Sequence, residues 1–298
     1  MNTPRLLPVL ALGLNALVWG LSWWPLRQLH ADGLHPLWTT ACVFTTAWIC
    51  ITLWRPSAWR GLKQHPELWW LLVASGLTNV GFNWAVTTGD VVRVVLLFYL
   101  MPTWSLLLAW WLLGERPNTP ALARMGLALL GVVLVLKTPD TPWPVPQSLP
   151  DLLALMGGLS FALTNVLLLR LQHTPEPSRM VAMFGGGALM ALLCAVLAQV
   201  SGLVPVLTWD VAAWWPWALV LTVAFLVGNL ALQYGAARLS AHTTSMVMLS
   251  EVVFASVSSV SLGASVLTWR IALGGGLIVL AALLASQSQR TPLTKDTR

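Results

Sequence analysis

The sequence predicts an all-α polytopic membrane protein, with ten transmembrane helices arranged as two inverted five-helix repeats. Three observations predict it. Apolar residues make up 57% of the chain and charged residues 9%, where a soluble domain carries about 25% charged. Apolar runs of about 18 to 23 residues occupy almost all of the 298 residues, enough at ~1.5 Å rise to cross a ~30 Å hydrocarbon core. The second half of the chain then repeats the first in order, spacing and wording.

The runs lie at 6–26, 36–54, 68–87, 91–113 and 119–136 in the first half, and at 151–169, 180–203, 213–234, 243–263 and 267–286 in the second. The first is a retained span rather than a secretory leader, because it stays apolar as far as Arg27 and has no A-x-A-like cleavage site. The fourth contains Pro102, which lacks an N–H and breaks the hydrogen-bond ladder. Glu115 precedes the fifth and suits a helix N-terminus. Gly185–Gly187 and Gly274–Gly276 sit inside spans, where small residues let helices approach closely. The expected organisation is a first repeat over 1–137, an external linker over 138–150, and a second repeat with a short tail over 151–298.

Of the 16 Lys and Arg residues, twelve fall on one side if both termini are cytoplasmic, leaving Arg27, Arg93, Lys137 and Arg270 outside. This positive-inside bias predicts cytoplasmic termini in the inner membrane. It also accounts for the net charge of +6 without a nucleic-acid partner, since no basic patch interleaved with aromatics exists. Tryptophans such as Trp54, Trp69, Trp70 and Trp269 mark span ends; Trp19, Trp23, Trp84, Trp110 and Trp111 are expected deeper. Cys42, Cys50 and Cys194 lie within spans without a C-x-x-C pair, so no metal site or disulfide is expected. Neither a phosphate loop nor an H-E-x-x-H pair occurs, so no enzyme activity, ATP use or cofactor is expected.

Gly-Phe-Asn-Trp-Ala at 81–85 and Gly-Asn-Leu-Ala at 228–231 put Asn83 and Asn229 at corresponding points, with Gly89 and Gly235 at the same offset. Trp19-Gly20 matches Phe161-Ala162. Each half has an odd number of spans, so the second copy enters from the opposite side. Such inverted repeats let one central site open alternately to each face.

Tyr99-Leu100-Met101-Pro102, then Leu-Leu-Gly-Glu at 112–115, then Gly126 and Gly131, resemble the signature of the EamA family in the drug/metabolite transporter superfamily. Ala237-Arg238-Leu239-Ser240-Ala241 and Ser250-Glu251-Val252-Val253-Phe254-Ala255 are similar to its second-half strings. The chain departs at Val252, where the family pattern has proline, and at Ala264-Ser265, where it has a second Gly-Glu. A straighter ninth span and a missing end-cap are expected from those two changes. The resemblance implies secondary active export by alternating access. Tyr99-Leu100-x-Pro102 and the deep tryptophans are similar to aromatic-amino-acid exporters, which points to amino acids or related small polar metabolites, with protons as the candidate coupling ion. Efflux of cationic or aromatic drug-like compounds is the alternative, and a non-transporting scaffold or receptor is the rival of another class. The partners expected are a small-molecule substrate and lipid, for a monomer or a dimer.

The expected substrate-binding residues are Trp19, Trp23, Asn79, Asn83, Arg93, Tyr99, Pro102, Asn165, Asn229, Gln233, Met248 and Glu251. A carboxylate deep in a span costs ~2.5 to 3.5 kcal/mol, so Glu251 needs a cavity, a partner or a proton. Helical spacing places Thr244, Met248, Glu251, Ala255 and Ser258 on one stripe. Glu251 is read either as a substrate-amine or proton site, or as a packing group bonded to a neighbouring helix. Arg93 is read as a fork for a substrate carboxylate, as a partner of Asp90, or as a snorkelling interface residue. Pro102 either frees carbonyls that line a cavity or merely kinks its helix. The amides on spans one, three, six and eight are either helix-to-helix glue or the wall of one cavity. His242 stands at the mouth of span nine as a candidate pH sensor.

Overall fold

Proline and capping chemistry decide where most helices begin. The computed structural model describes residues 6–114, 117–137, 145–206, 211–236, 238–239, 244 and 247–288. Helix α3 (Pro36–Trp54) opens on Pro36, with His35 Nδ1 accepting the Leu37 N–H at 3.3 Å. Asn118 accepts the Ala121 N–H at 2.9 Å and starts α8 (Thr119–Leu136). The cap expected from Glu115 falls outside the described residues. Ser148 accepts the Asp151 N–H at 3.3 Å ahead of α9 (Leu149–Arg170), and Pro177 sits in the first turn of α10 (Glu176–Val200). Each prolyl nitrogen occupies a position where no intrahelical N–H is needed, so α9 and α10 start a few residues earlier than the apolar runs suggested.

Two spans are broken where prolines remove a donor. The first is α1 (Leu6–Leu21) followed by α2 (Trp23–Ala31); Pro25 cannot bond the Leu21 carbonyl, and Ser22 Oγ donates to the Trp19 carbonyl at 2.8 Å. The fourth is α6 (Val91–Phe98) followed by α7 (Met101–Leu113), interrupted at Tyr99–Leu100 ahead of Pro102. Between them lie the short α4 (Ala58–Gln64) and the long α5 (Leu68–Thr88), and α11 (Val211–Ala236) carries Pro216 near its start. Helix α12 (Ser250–Ser261) begins after a turn at Leu249, where a straighter helix was expected. No proline is involved. Ser250 Oγ takes the Val247 carbonyl at 2.6 Å, and such side-chain bonds compete with the backbone ladder. Helix α13 (Trp269–Ser288) completes the described chain.

Among the described residues, seven stretches are long and apolar enough to cross a bilayer, namely 6–31, 36–54, 91–108, 119–136, 149–168, 176–200 and 214–235, and 269–284 is apolar but shorter. Helix α5 matches them in length and is made more polar by Ser75, Thr78, Asn79, Asn83, Thr87 and Thr88. No strand occurs among the described residues. Apolar side chains such as Leu53, Trp111 and Val200 are about four-fifths exposed, which in lipid is their favourable environment. Trp110 and Trp111 are likewise exposed on the outside of the bundle.

Helix α5 packs on α9 and α10, α3 on α10 and α11, α1 on α11 and α12, α6 and α7 on α9, and α8 on α13. Glycines set the closest crossings. A Cβ on Gly186 would run into the Leu72 carbonyl and Ser75 Oγ of α5. Gly131 of α8 and Gly274 of α13 face one another; a Cβ on either would lie 2.6 Å from the other's carbonyl oxygen. Gly276, two residues further along α13, has open space. Gly186→Ala is therefore expected to destabilise the protein by about 1 to 3 kcal/mol, the usual range for an overfilled core. Gly276→Ala should be neutral or slightly stabilising through helix propensity. Thermal unfolding of both variants in detergent checks the contrast.

Candidate functional site

The break between α6 and α7 and the turn ahead of α12 are joined by a side-chain bond. Tyr99, fully packed at the end of α6, donates its hydroxyl toward Glu251 Oε2 at 2.9 Å, with the Met248 carbonyl at 3.2 Å. Glu251 is buried in the first turn of α12, where a helix N-terminus favours an acid. Behind it lies α1: a Cβ on Gly20 would stand 2.7 Å from Phe254 Cβ and 2.9 Å from the Glu251 carbonyl oxygen. Pro102 leaves the Phe98 carbonyl without its i+4 donor. Gly158 of α9 covers it, close enough that a Cβ would sit 2.7 Å from that oxygen. The carbonyl freed by Pro102 is thus packed against α9, while the proline ring itself faces a cleft.

Aromatic rings run from this junction through the middle of the bundle. Phe98 lies 6.3 Å from Tyr99, 5.5 Å from Phe161 and 4.9 Å from Phe82. Phe82 meets Trp19 edge-on at 6.1 Å, and Trp19 stacks on Phe225 at 4.6 Å. Phe44 continues the series, 5.6 Å from Phe225 and 5.7 Å from Phe184. Edge-to-face and offset pairs of this kind each add about 0.5 to 1.5 kcal/mol beyond burial. Trp23 is close by on α2 and donates Nε1–H to Ser258 of α12 at 3.0 Å.

The expected amides divide by role. Asn83 Nδ2 donates to Thr40 Oγ1 at 3.2 Å, joining α5 to α3, and its buried Oδ1 has no partner. Asn15 donates to the Gly228 carbonyl at 2.8 Å, joining α1 to α11, and its Oδ1 is likewise unpartnered. Asn79 folds back onto the Ser75 carbonyl of its own helix at 2.8 Å. Gln233 donates to Asn229 Oδ1 at 2.7 Å on one face of α11. Asn165 is half-buried on α9.

At the end of the bundle carrying residues 89–90 and 262–268, charged groups are tied up. Arg93 holds Asp151 with both arms of its fork, Nε to Oδ1 at 2.7 Å and Nη2 to Oδ2 at 2.8 Å, and Nη1 donates to the Val135 carbonyl at 2.7 Å. Asp151, rather than Asp90, is its ion-pair partner; Asp90 instead accepts the Arg93 backbone N–H at 2.9 Å as the cap of α6. Arg27 stacks over Trp23 at 5.4 Å and donates to the Gly89 and Val86 carbonyls at the end of α5, a cation where a helix C-terminus favours one. Ser265 Oγ receives the Val92 N–H at 3.3 Å. His35 at this end has its pKa pushed down to about 4 by burial and by the neighbouring His30, so at neutral pH it remains the uncharged acceptor that caps α3.

Away from that end, a cleft lies between α7, α8 and α13, floored by Tyr99 and Pro102, with Arg124 on its wall. Its free space is about 70 Å³, well short of the ~300 to 1,000 Å³ of a drug-sized site. Sequence reasoning missed Asp151, Arg124 and, apart from Phe161, the phenylalanines of the column. Only Asp151 carried a signal, an acid in the first turn of an apolar helix. Asp151→Ala would strip a buried pair of one partner and is expected to cost about 3 kcal/mol, the lower end for such losses, because Arg93 keeps the Val135 carbonyl. Asp90→Ala should cost about 1 kcal/mol as a lost cap. Chemical unfolding of the two variants in micelles separates these values.

Two broken helices meeting through polar groups inside an apolar bundle is the arrangement found in secondary transporters. Residues 6–137 match the model of the EamA-like transporter family. That segment, rather less than half of the chain, is what is similar to the EamA-like transporter family. An uncharacterized transporter of Pseudomonas aeruginosa is 29% identical over 152 residues, covering 48% of this chain and 51% of the relative. The chain thus spans about half the length of the curated relative it matches. A solved crystal structure, described only as that of a protein, is 21% identical and covers 97% of this chain and 100% of its own, with a TM-score of 0.60. That likeness extends the shared fold over nearly the whole chain. Family and apolar helices together make this a multi-pass membrane protein.

Proposed function

We propose that this EamA-like protein is a secondary active transporter that exports amino acids or related small polar metabolites by alternating access, with protons as the coupling ion. The observation that carries the reading is the Tyr99–Glu251 bond, which joins two helix breaks inside the bundle beside an aromatic column. A carboxylate there suits a substrate amine, and the rings suit its apolar part. Met248, Trp19, Trp23, Asn83 and Pro102 surround the junction in this reading. Asn79, Asn165, Asn229 and Gln233 extend it along α5, α9 and α11, and Arg93 acts as the clamp that holds α6 to α9.

The layout proposed is ten spans in two inverted repeats, with both termini on the cytoplasmic face of the inner membrane. Packing supports it pairwise: α5 lies on α9 as α11 lies on α1, and α6 with α7 lies on α9 as α12 lies on α1. The interruptions at Tyr99–Leu100 and Leu249 occupy matching places in the two halves. The end closed by Arg27, Arg93 and Ser265 is then external, and the cleft opens toward the cytoplasm. Efflux of cationic aromatic compounds is a second reading, favoured by the occupied Arg93 fork and the rings beside Glu251.

Counterflow in proteoliposomes holding the full chain tests the proposal. At least one amino acid in a panel should exchange about tenfold above empty vesicles, and Glu251→Gln should abolish exchange without altering yield or melting. Exchange of cationic aromatics alone would select the second reading. Ligand-induced stabilisation without any exchange would instead mark a receptor.

A further inference from the structure

We infer that the cleft between α7, α8 and α13 is an anion subsite, in which Arg124 receives the carboxylate of an amphipathic metabolite whose amine faces Glu251. The inference rests on the transport reading and names the substrate's second charged group. Leu106, Met125, Ala128 and Ile278 make the walls largely apolar, and Arg124 is the one charged side chain among the lining residues. Its state contrasts with that of the other guanidinium groups. Arg93 and Arg27 are consumed by Asp151 and by helix-end carbonyls. Arg179 donates to the carbonyls of Leu171 and Thr174, Arg238 stacks on Tyr234, Arg55 on Trp54 and Arg270 on Trp269. Arg60 and Arg170, which have no such partner, are exposed. Arg124 is half-buried, lines the cleft and has neither an ion-pair nor a hydrogen-bond partner among the described residues; Arg270, whose buried Nη1 also lacks a hydrogen bond, has the Trp269 ring as its neighbour instead.

An uncompensated guanidinium within an apolar span is costly and acquires a counter-charge or water. Its planar fork matches a carboxylate in two-point fashion. Tyr99 connects the two ends of the site, since it lines the cleft and its hydroxyl is bonded to Glu251. A substrate ammonium arriving at Glu251 therefore displaces the tyrosine hydroxyl, and the carboxylate of the same molecule extends along the cleft toward Arg124. A free volume of about 70 Å³ accommodates several waters, the size of a carboxylate with its first carbons.

The test reads the cleft's charge independently of transport. In full-length protein with Cys42, Cys50 and Cys194 replaced by Ala, Thr103→Cys is reconstituted in phosphatidylcholine vesicles. It is then labelled with anionic and cationic methanethiosulfonate reagents of similar size, and Ala128→Cys serves as a second reporter. Relative to a free thiol, the anionic reagent should be favoured about tenfold through attraction to an unpaired charge, and adding Arg124→Gln should remove the bias. A mixture of proteinogenic amino acids should protect the thiol, and their methyl esters should not. Equal labelling by both reagents, bias that survives Arg124→Gln, or no labelling at either position overturns the subsite; an Arg124 that snorkels out of the cleft gives the first result. Protection by phosphatidylglycerol vesicles but not by amino acids would make the anion a lipid headgroup and overturn the substrate assignment. If counterflow persists in Arg124→Gln with its preference for acid over ester intact, the subsite fails while transport stands. If the labelling results hold without any exchange, the transport reading fails instead.

Discussion

The hydrogen bond between Tyr99 and Glu251 is the constraint around which the middle of this protein is arranged. A carboxyl group in an apolar interior is tolerated only with a partner, and the partner here comes from a helix that proline has interrupted. Because Pro102 interrupts the ladder between α6 and α7, Tyr99 sits in a turn from which its hydroxyl reaches α12. The turn at Leu249 places Glu251 in the first turn of α12. Gly20 and Gly158 then bring α1 and α9 against the two breaks at distances that any side chain would prevent. Remove either polar group and both interruptions lose their common anchor.

The two ends of the bundle differ in chemistry. One is closed by Arg93 on Asp151, Arg27 on the last carbonyls of α5, and Ser265 on the start of α6. These bonds use charge and backbone polarity, which can reform when helices separate and return. The centre is held by rings, whose attraction is less directional and tolerates sliding. Polar clasps at one end, a narrow cleft leading toward the other and an aromatic middle are the features on which the proposed alternating-access reading rests.

Periodicity and apolar length made the spans legible, because the bilayer thickness sets both. Gly185–Gly187 and Gly274–Gly276 were legible as crossing points, since small residues inside apolar runs have few other uses, although Gly276 proves to face open space. Glu251 was legible from its cost. Its partner was not, even though Tyr99 had been singled out, because the two are 152 residues apart and only the folded chain brings them together. The same distance effect hid Asp151 behind the nearer Asp90. Phenylalanines in apolar spans carry no mark that separates core from cavity, so the column from Tyr99 to Phe184 was invisible. The break at Leu249 escaped notice because it uses serine and a turn where the corresponding break uses proline.

A double-mutant cycle on Tyr99→Phe and Glu251→Gln, read by reversible unfolding of the purified chain in micelles, tests the central bond most directly. The account predicts non-additive losses with a coupling of about 1 to 2 kcal/mol, since each change removes the same interaction. Losses that add to within about 0.5 kcal/mol would mean that the two groups stand independently, and the joined breaks would no longer explain how this bundle is held.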